Sequence, residues 1–165
     1  MKKIPFLFLF LSLVGTGYAQ RILPTGDALE RIAKACSMIK IHEPEVYESM
    51  VLHSTIQSYE HYTENPLFST NKIEGNDFWI LIGIVSLYER SINRLAGTIF
   101  HESLHMLLEL QRQRSGKLGG FSQLTETERN QEEILVYKRT RELLVRLNTT
   151  EWELKEYDNW VSFYY

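Results

Sequence analysis

The sequence is poor in cysteine, because Cys36 is the single one among 165 residues. One cysteine cannot form an internal disulfide, and it cannot supply a zinc site built from several thiolates. The same chain carries 5 histidines and 21 acidic residues. Any metal site must therefore be assembled from imidazole and carboxylate groups.

An excess of positive charge is also absent. The 18 lysine and arginine residues are outnumbered by 21 acidic residues, which gives a net charge of −3. A dedicated nucleic-acid-binding protein needs clustered positive charge against the phosphate backbone, so nucleic acid is not an expected partner. With 44% hydrophobic and 24% charged residues, the composition is that of an ordinary globular protein.

The apolar run near the N-terminus is too short for a transmembrane helix, which needs about 20 apolar residues. This run covers residues 4–14, contains Pro5 and follows a positively charged start. Small residues then lead to Ala19, an order typical of a secretory signal peptide cleaved after Ala19. An uncleaved N-terminal anchor is the alternative.

Proline and glycine are scarce as well, with four and nine residues, so that a long linker is not expected. We therefore predict a signal peptide over residues 1–19 and a single domain over residues 20–165. The protein is expected to be exported, either to a periplasm or out of the cell. After cleavage of the signal it should have no membrane attachment.

Hydrophobic spacing in the first half of the chain predicts a mixture of helix and strand. A helix over residues 28–39 begins after Asp27, and Pro44 marks a break. The next segment, residues 45–62, fits both a helical and an alternating pattern. Residues 78–85 form an apolar run rich in aromatic and β-branched side chains, which predicts a buried strand.

Two longer helices are predicted in the second half. One begins at Ser86 or Ser91 and ends near Arg114. The other begins after Thr125, which forms a capping-box pattern with Glu128. The expected class is α+β, with a small sheet packed on helices.

The motif that carries chemistry is His101-Glu102-Ser103-Leu104-His105, in the middle of the first of these helices. Histidines at positions i and i+4 share one helix face and can bind one zinc ion. The intervening Glu102 is placed to take a proton from a water molecule beside the metal. The alternative is a helix whose two histidines are solvated or hydrogen-bonded in the core.

A catalytic zinc site needs a third protein ligand. The metzincin pattern is excluded, because Leu108 and Gln111 occupy the positions of its glycine and third histidine. Cys36 lies far upstream, which speaks against a deformylase-like site. The remaining source is the following helix, and its candidate carboxylates are Glu126, Glu128, Glu132, Glu133 and Glu142.

Residues 95–147 resemble the catalytic core of gluzincin metallopeptidases, in which an HExxH helix is followed by a helix that donates a glutamate. The segment Glu133-Ile134-Leu135-Val136-Tyr137, with Leu143-Leu144 further on, is similar to the donor pattern of small members. Val136 departs from it by replacing a small residue. The resemblance implies Glu133 as the third ligand, with Glu132 as the alternative. If Glu132 is not the ligand, it is expected to be a solvated carboxylate. The other glutamates are then surface charges.

The same resemblance implies a zincin-like fold and Zn²⁺ as the cofactor. It implies peptide-bond hydrolysis by a metal-activated water, with Glu102 as the general base and a peptide or protein as the substrate. The strand over residues 78–85 would then either align substrate along its edge or serve only as a core strand. An exported zinc-binding or structural domain without turnover is the alternative function. A helical interaction module without metal is a further one.

Several residues are secondary candidates. Tyr137, one turn from Glu133, could bond a ligand or an oxyanion, although packing is the expected role. His53 or His61 could donate a hydrogen bond in the transition state. The aromatic C-terminal segment is expected to pack on the domain through Trp152, Trp160 and Phe163. Alternatively, residues 163–165 would occupy the cleft as an intramolecular inhibitor.

Overall fold

The computed structural model describes residues 26–59, 69–74, 77–116 and 124–161. The predicted signal peptide, His61 and the terminal residues 163–165 lie outside these ranges. The described elements are α1 (Gly26–His42), α2 (Pro44–His53), β1 (Ser54–Tyr59), β2 (Ser69–Glu74), β3 (Asp77–Gly83), α3 (Ile84–Tyr88), α4 (Ile92–Arg114), α5 (Glu126–Arg146) and α6 (Glu151–Val161). The fold is mostly helical with a small sheet, which confirms the α+β class.

The first two helices follow the sequence signals closely. The predicted helix over residues 28–39 is confirmed within α1, which is longer than predicted and includes Asp27 in its first turn. Pro44 occupies the first turn of α2. Proline suits that position because its missing N–H has no partner within a helix anyway. The ambiguous segment contains both structures, since α2 ends at His53 and Ser54 adopts an extended backbone that begins β1.

The sheet has three strands in the order β1-β3-β2. β1 pairs parallel with β3, and β2 pairs antiparallel with it. Alternate residues of a strand share one face, and Phe78, Ile80 and Ile82 of β3 are all buried in the core. The predicted strand is confirmed for residues 78–83, whereas Ile84 and Val85 belong to α3. The strand is also the central one of the sheet. With neighbours on both sides it has no free edge, so its interpretation as a substrate-aligning edge is wrong, and it is a core strand.

Helix α4 is the centre of the domain. Ser91 caps its N-terminus by accepting a hydrogen bond from the backbone N–H of Arg94. Every residue from Arg94 to Met106 is buried, and the helix contacts α1, α2, α5, β2 and β3. The HExxH segment therefore lies in the interior of the domain, surrounded by other elements.

Helix α5 approaches α4 closely at Gly97. A Cβ atom built on Gly97 would lie 2.5 Å from Cδ2 of Leu144, a buried side chain of α5. A glycine here allows the two backbones to come together, because any side chain would displace Leu144. The predicted capping box is confirmed, with Thr125 and Glu128 bonding each other's backbone N–H. The contact at Gly97 holds α5 against the HExxH helix, and the capping box fixes where α5 begins.

The C-terminal helix α6 packs on the start of α4. The backbone N–H of Ser91 donates to Glu153 at 3.3 Å, and Arg90 pairs with Glu156 at 3.4 Å. The prediction that Trp152 packs on the domain is wrong, since it is 72% exposed, whereas Tyr157 is 2% exposed. The side chain of Trp160 lies outside the described ones. Among all the helices described, none combines the length and the apolar character needed to cross a bilayer.

Candidate metal centre

The two histidines of the HExxH segment point their outer nitrogens at each other. Nε2 of His101 lies 3.3 Å from Nε2 of His105, and the ring centroids are 5.0 Å apart. Both imidazoles are buried. The single helical turn between them brings the two nitrogens to one point, as the motif predicts.

Glu133 of α5, the neighbouring helix, brings its carboxylate to the same position. Its Oε2 lies 3.5 Å from Nε2 of His101, and its Oε1 lies 3.4 Å from Nε2 of His105. One ligand atom from each of the three residues falls within 4.8 Å of the others. Among the described residues this is the single group of three or more histidine, cysteine and acidic side chains placed to hold a metal.

The separations of these atoms fit a zinc ion. Zinc binds imidazole nitrogen and carboxylate oxygen at about 2.0–2.1 Å in tetrahedral geometry, which places neighbouring ligand atoms about 3.3–3.4 Å apart. The nitrogen–nitrogen distance of 3.3 Å and the nitrogen–oxygen distances of 3.4 and 3.5 Å are close to that value. Two imidazoles and one carboxylate also form a donor set that leaves a fourth position for a small ligand.

Glu132 contacts His105 from the opposite side of the ring. Its Oε1 lies 2.8 Å from Nδ1 of His105, and its Oε2 is paired with Arg112. An ionised carboxylate can only accept, so Nδ1 carries the proton in this bond and Nε2 is the nitrogen that faces His101 and Glu133. Glu132 is only 8% exposed. The prediction that Glu132 is a solvated side chain if it is not the ligand is therefore wrong.

The charge of this cluster favours a bound cation. Burial lowers the pKa of His105, but hydrogen bonds to Glu132 and Glu133 outweigh it and raise this pKa to about 10. Burial also raises the pKa of Glu133, yet hydrogen bonds to both imidazoles lower it overall to about 2. A buried carboxylate, Glu132, and a partly buried one, Glu133, thus face the imidazoles, and the site attracts positive charge, whether a proton or a metal ion.

A second layer of ion pairs supports Glu132. Arg112, one turn beyond Glu109 on α4, donates from Nε to Oε2 of Glu109 at 2.9 Å. Gln113 donates to the same carboxylate at 3.3 Å. Burial raises the pKa of Glu132, but the hydrogen bonds to His105 and Arg112 outweigh burial and lower this pKa overall. This chain of bonds keeps the Glu132 carboxylate ionised and directed at His105.

Tyr157 of α6 holds the other imidazole. Its hydroxyl lies 3.1 Å from Nδ1 of His101. Burial raises the pKa of Tyr157 above its usual value, so that the phenol keeps its proton at neutral pH. Sequence analysis missed this residue, because an aromatic residue 56 positions away gives no signal that it returns to the motif.

Glu102 lies beside the cluster in the chain and is 7% exposed. Burial raises its pKa, the imidazoles of His101 and His105 oppose that rise, and the charge of Glu133 adds to it. A carboxyl group with a raised pKa accepts and returns a proton more readily near neutral pH. This is the property that a general base in this position needs.

The remaining candidates lie elsewhere. The Tyr137 hydroxyl donates to Asp158 at 2.6 Å and its ring packs on that of Tyr157, so its expected packing role is confirmed. His53 is the last residue of α2 and does not belong to the cluster. The three glutamates predicted to be surface charges are indeed exposed: Glu126, Glu128 and Glu142.

Comparisons with known proteins give no relatives. No family model matches the chain, and neither a curated protein nor a solved structure is similar to it at a significant level. The gluzincin resemblance therefore depends on the motif residues and on the geometry of the cluster alone.

Proposed function

We propose that this chain is a zinc-dependent metallopeptidase with a zincin-like arrangement of its active-site helices. His101, His105 and Glu133 hold the zinc ion, and Glu102 is the general base. The observation that carries the proposal is the convergence of both Nε2 atoms and the Glu133 carboxylate at spacings that suit one zinc ion. The adjoining buried glutamate is the second requirement of the HExxH chemistry.

When bound, zinc lowers the pKa of a water molecule toward about 7 and polarises the carbonyl of the scissile bond. Glu102 takes a proton from the attacking water and later gives it to the leaving amine nitrogen. The raised pKa of Glu102 suits both steps. Glu132 and Tyr157 hold the two imidazoles from their Nδ1 sides. No covalent bond between the protein and the substrate is needed.

The proposal includes export. Residues 1–19 direct the chain to a periplasm or out of the cell, and residues 20–165 are the working domain. The substrate is a peptide or a protein, and neither nucleic acid nor a membrane is a partner of the mature domain. The net charge of −3 supports the exclusion of nucleic acid as a partner.

The test is a comparison of zinc content and cleavage in purified protein. Wild-type protein is expected to bind one zinc ion and to cleave an unfolded protein substrate. Glu102→Gln should keep the zinc and lose cleavage, because an amide cannot take the proton. Glu142→Gln, an exposed change on α5, is the matched control and should leave both unchanged.

Wild-type protein that binds no zinc would contradict the proposal, and so would either of two further outcomes. Full cleavage by Glu102→Gln would remove Glu102 as the base. One zinc ion per chain without cleavage by the wild-type protein, over a panel of unfolded proteins, would instead identify a zinc-binding domain without turnover.

A further inference from the structure

The two imidazoles of the centre are held by different groups. His105 bonds to a carboxylate, Glu132, which lies in the same helix as Glu133. His101 bonds to a neutral phenol, Tyr157, which lies in the C-terminal helix α6. The second contact joins the HExxH helix to an element that the motif itself does not include.

Neighbouring side chains fix the Tyr157 ring. The ring of Tyr137 stacks on it, with a centroid distance of 5.2 Å and an interplanar angle of 25°. The guanidinium carbon of Arg94 lies 4.5 Å from the same centroid. With Tyr157 almost fully buried, these contacts hold its hydroxyl toward His101 and oppose rotation of the ring.

We infer that Tyr157 is a positioning residue for the proposed zinc ligand His101, and that α6 is therefore part of the metal centre. A metal on Nε2 requires the proton of His101 to be on Nδ1, where the phenol oxygen accepts it. This bond selects the tautomer and fixes the plane of the imidazole. Partners of this kind contribute about 10–100-fold to metal affinity in zinc sites.

The inference depends on the proposed zinc site, and Tyr157→Phe tests it. This change removes the hydroxyl and keeps the ring, so the contacts with Tyr137 and Arg94 remain. Tyr137→Phe is the matched control, because it removes the hydroxyl of the stacked partner, which bonds Asp158 rather than a histidine. Zinc affinity is measured for the three proteins by competition with a chromogenic chelator, alongside thermal unfolding.

The expected result is a loss of zinc affinity of about 10–100-fold in Tyr157→Phe and wild-type affinity in Tyr137→Phe. The visible absorption of the Co²⁺-substituted protein should change in the first variant only, because it reports the orientation of the ligands. Equal affinity in Tyr157→Phe and wild type, or equal losses in both variants, would overturn the inference.

The inference and the proposed function fail in different ways. Wild-type protein that binds zinc but cleaves no peptide would contradict the proposed function and leave the role of Tyr157 intact. Wild-type protein that binds no zinc would contradict both.

Discussion

Glu132 and Glu133, neighbours in α5, contact the same imidazole at its two different nitrogens. Oε1 of Glu132 lies 2.8 Å from Nδ1 of His105, and Oε1 of Glu133 lies 3.4 Å from its Nε2. Residues adjacent in a helix point about 100° apart, so His105 lies between the two side chains. One glutamate is placed to bind a metal and the other to hold the ring.

This arrangement predicts different effects for substitutions at the two glutamates. Glu132→Gln should weaken zinc binding by about 10–100-fold, because the ring loses an anionic partner but keeps its ligand set. Glu133→Ala should weaken binding by more than ~100-fold, beyond the range of such outer contacts. Chelator competition measures both, with Glu142→Gln as the surface control. A larger loss in Glu132→Gln than in Glu133→Ala would exchange their roles.

Zinc affinity should depend on pH because protons compete for the same site. The pKa of His105 is raised to about 10, so below that pH the metal-free imidazole holds an extra proton that zinc must displace. Apparent affinity is expected to rise roughly tenfold per pH unit between pH 6 and 8, and to fall as pH decreases. Calorimetry in buffers of different ionisation enthalpy counts the released proton. An affinity independent of pH over this range would contradict the electrostatic description of the centre.

The close approach of α4 and α5 predicts a strong effect at Gly97. Gly97→Val would push against Leu144, whose Cδ2 lies 2.5 Å from the position of the new Cβ. We expect a destabilisation of about 1–3 kcal/mol from overpacking, measured by urea unfolding. Zinc affinity should also fall, because α5 carries Glu133.

A valine at Gly26, where no atom of the described residues lies within 4 Å of a Cβ, serves as the control and should change stability little. Equal stability of the Gly97 and Gly26 variants would show that the two helices are not held together at Gly97.

Cys36 should react slowly in the folded protein. Burial raises the pKa of its thiol to about 12, so very little thiolate is present near neutral pH. Alkylation by iodoacetamide at pH 8 is expected to be at least about tenfold slower in native protein than in urea. Comparable rates in the two states would mean that Cys36 of α1 is not packed against the core.

Much of the site's framework could be predicted from local patterns. The capping box at Thr125 and the helical spacing around His101 fix the two helices, because such signals depend on residues close in the chain. The ambiguity of residues 45–62 arose because a helix and a strand meet there, at Ser54. A pattern shorter than either element cannot separate the two.

The contacts made between distant segments could not be predicted in this way. The burial of Tyr157 and exposure of Trp152 depend on how α6 is oriented on α4, and neither sequence position carries that information. The central place of β3 depends on pairing with both β1 and β2. Glu132 and Glu133 are neighbours, and only the position of α5 relative to His105 separates their roles.

The central claim is that His101, His105 and Glu133 hold one zinc ion, and X-ray absorption at the zinc edge of the zinc-loaded protein tests it most directly. We predict a shell of four nitrogen and oxygen atoms at about 2.0–2.1 Å with the outer scattering of two imidazoles. His101→Ala should reduce that outer scattering to one imidazole. A spectrum without imidazole scattering, or one that His101→Ala leaves unchanged, would contradict the claim.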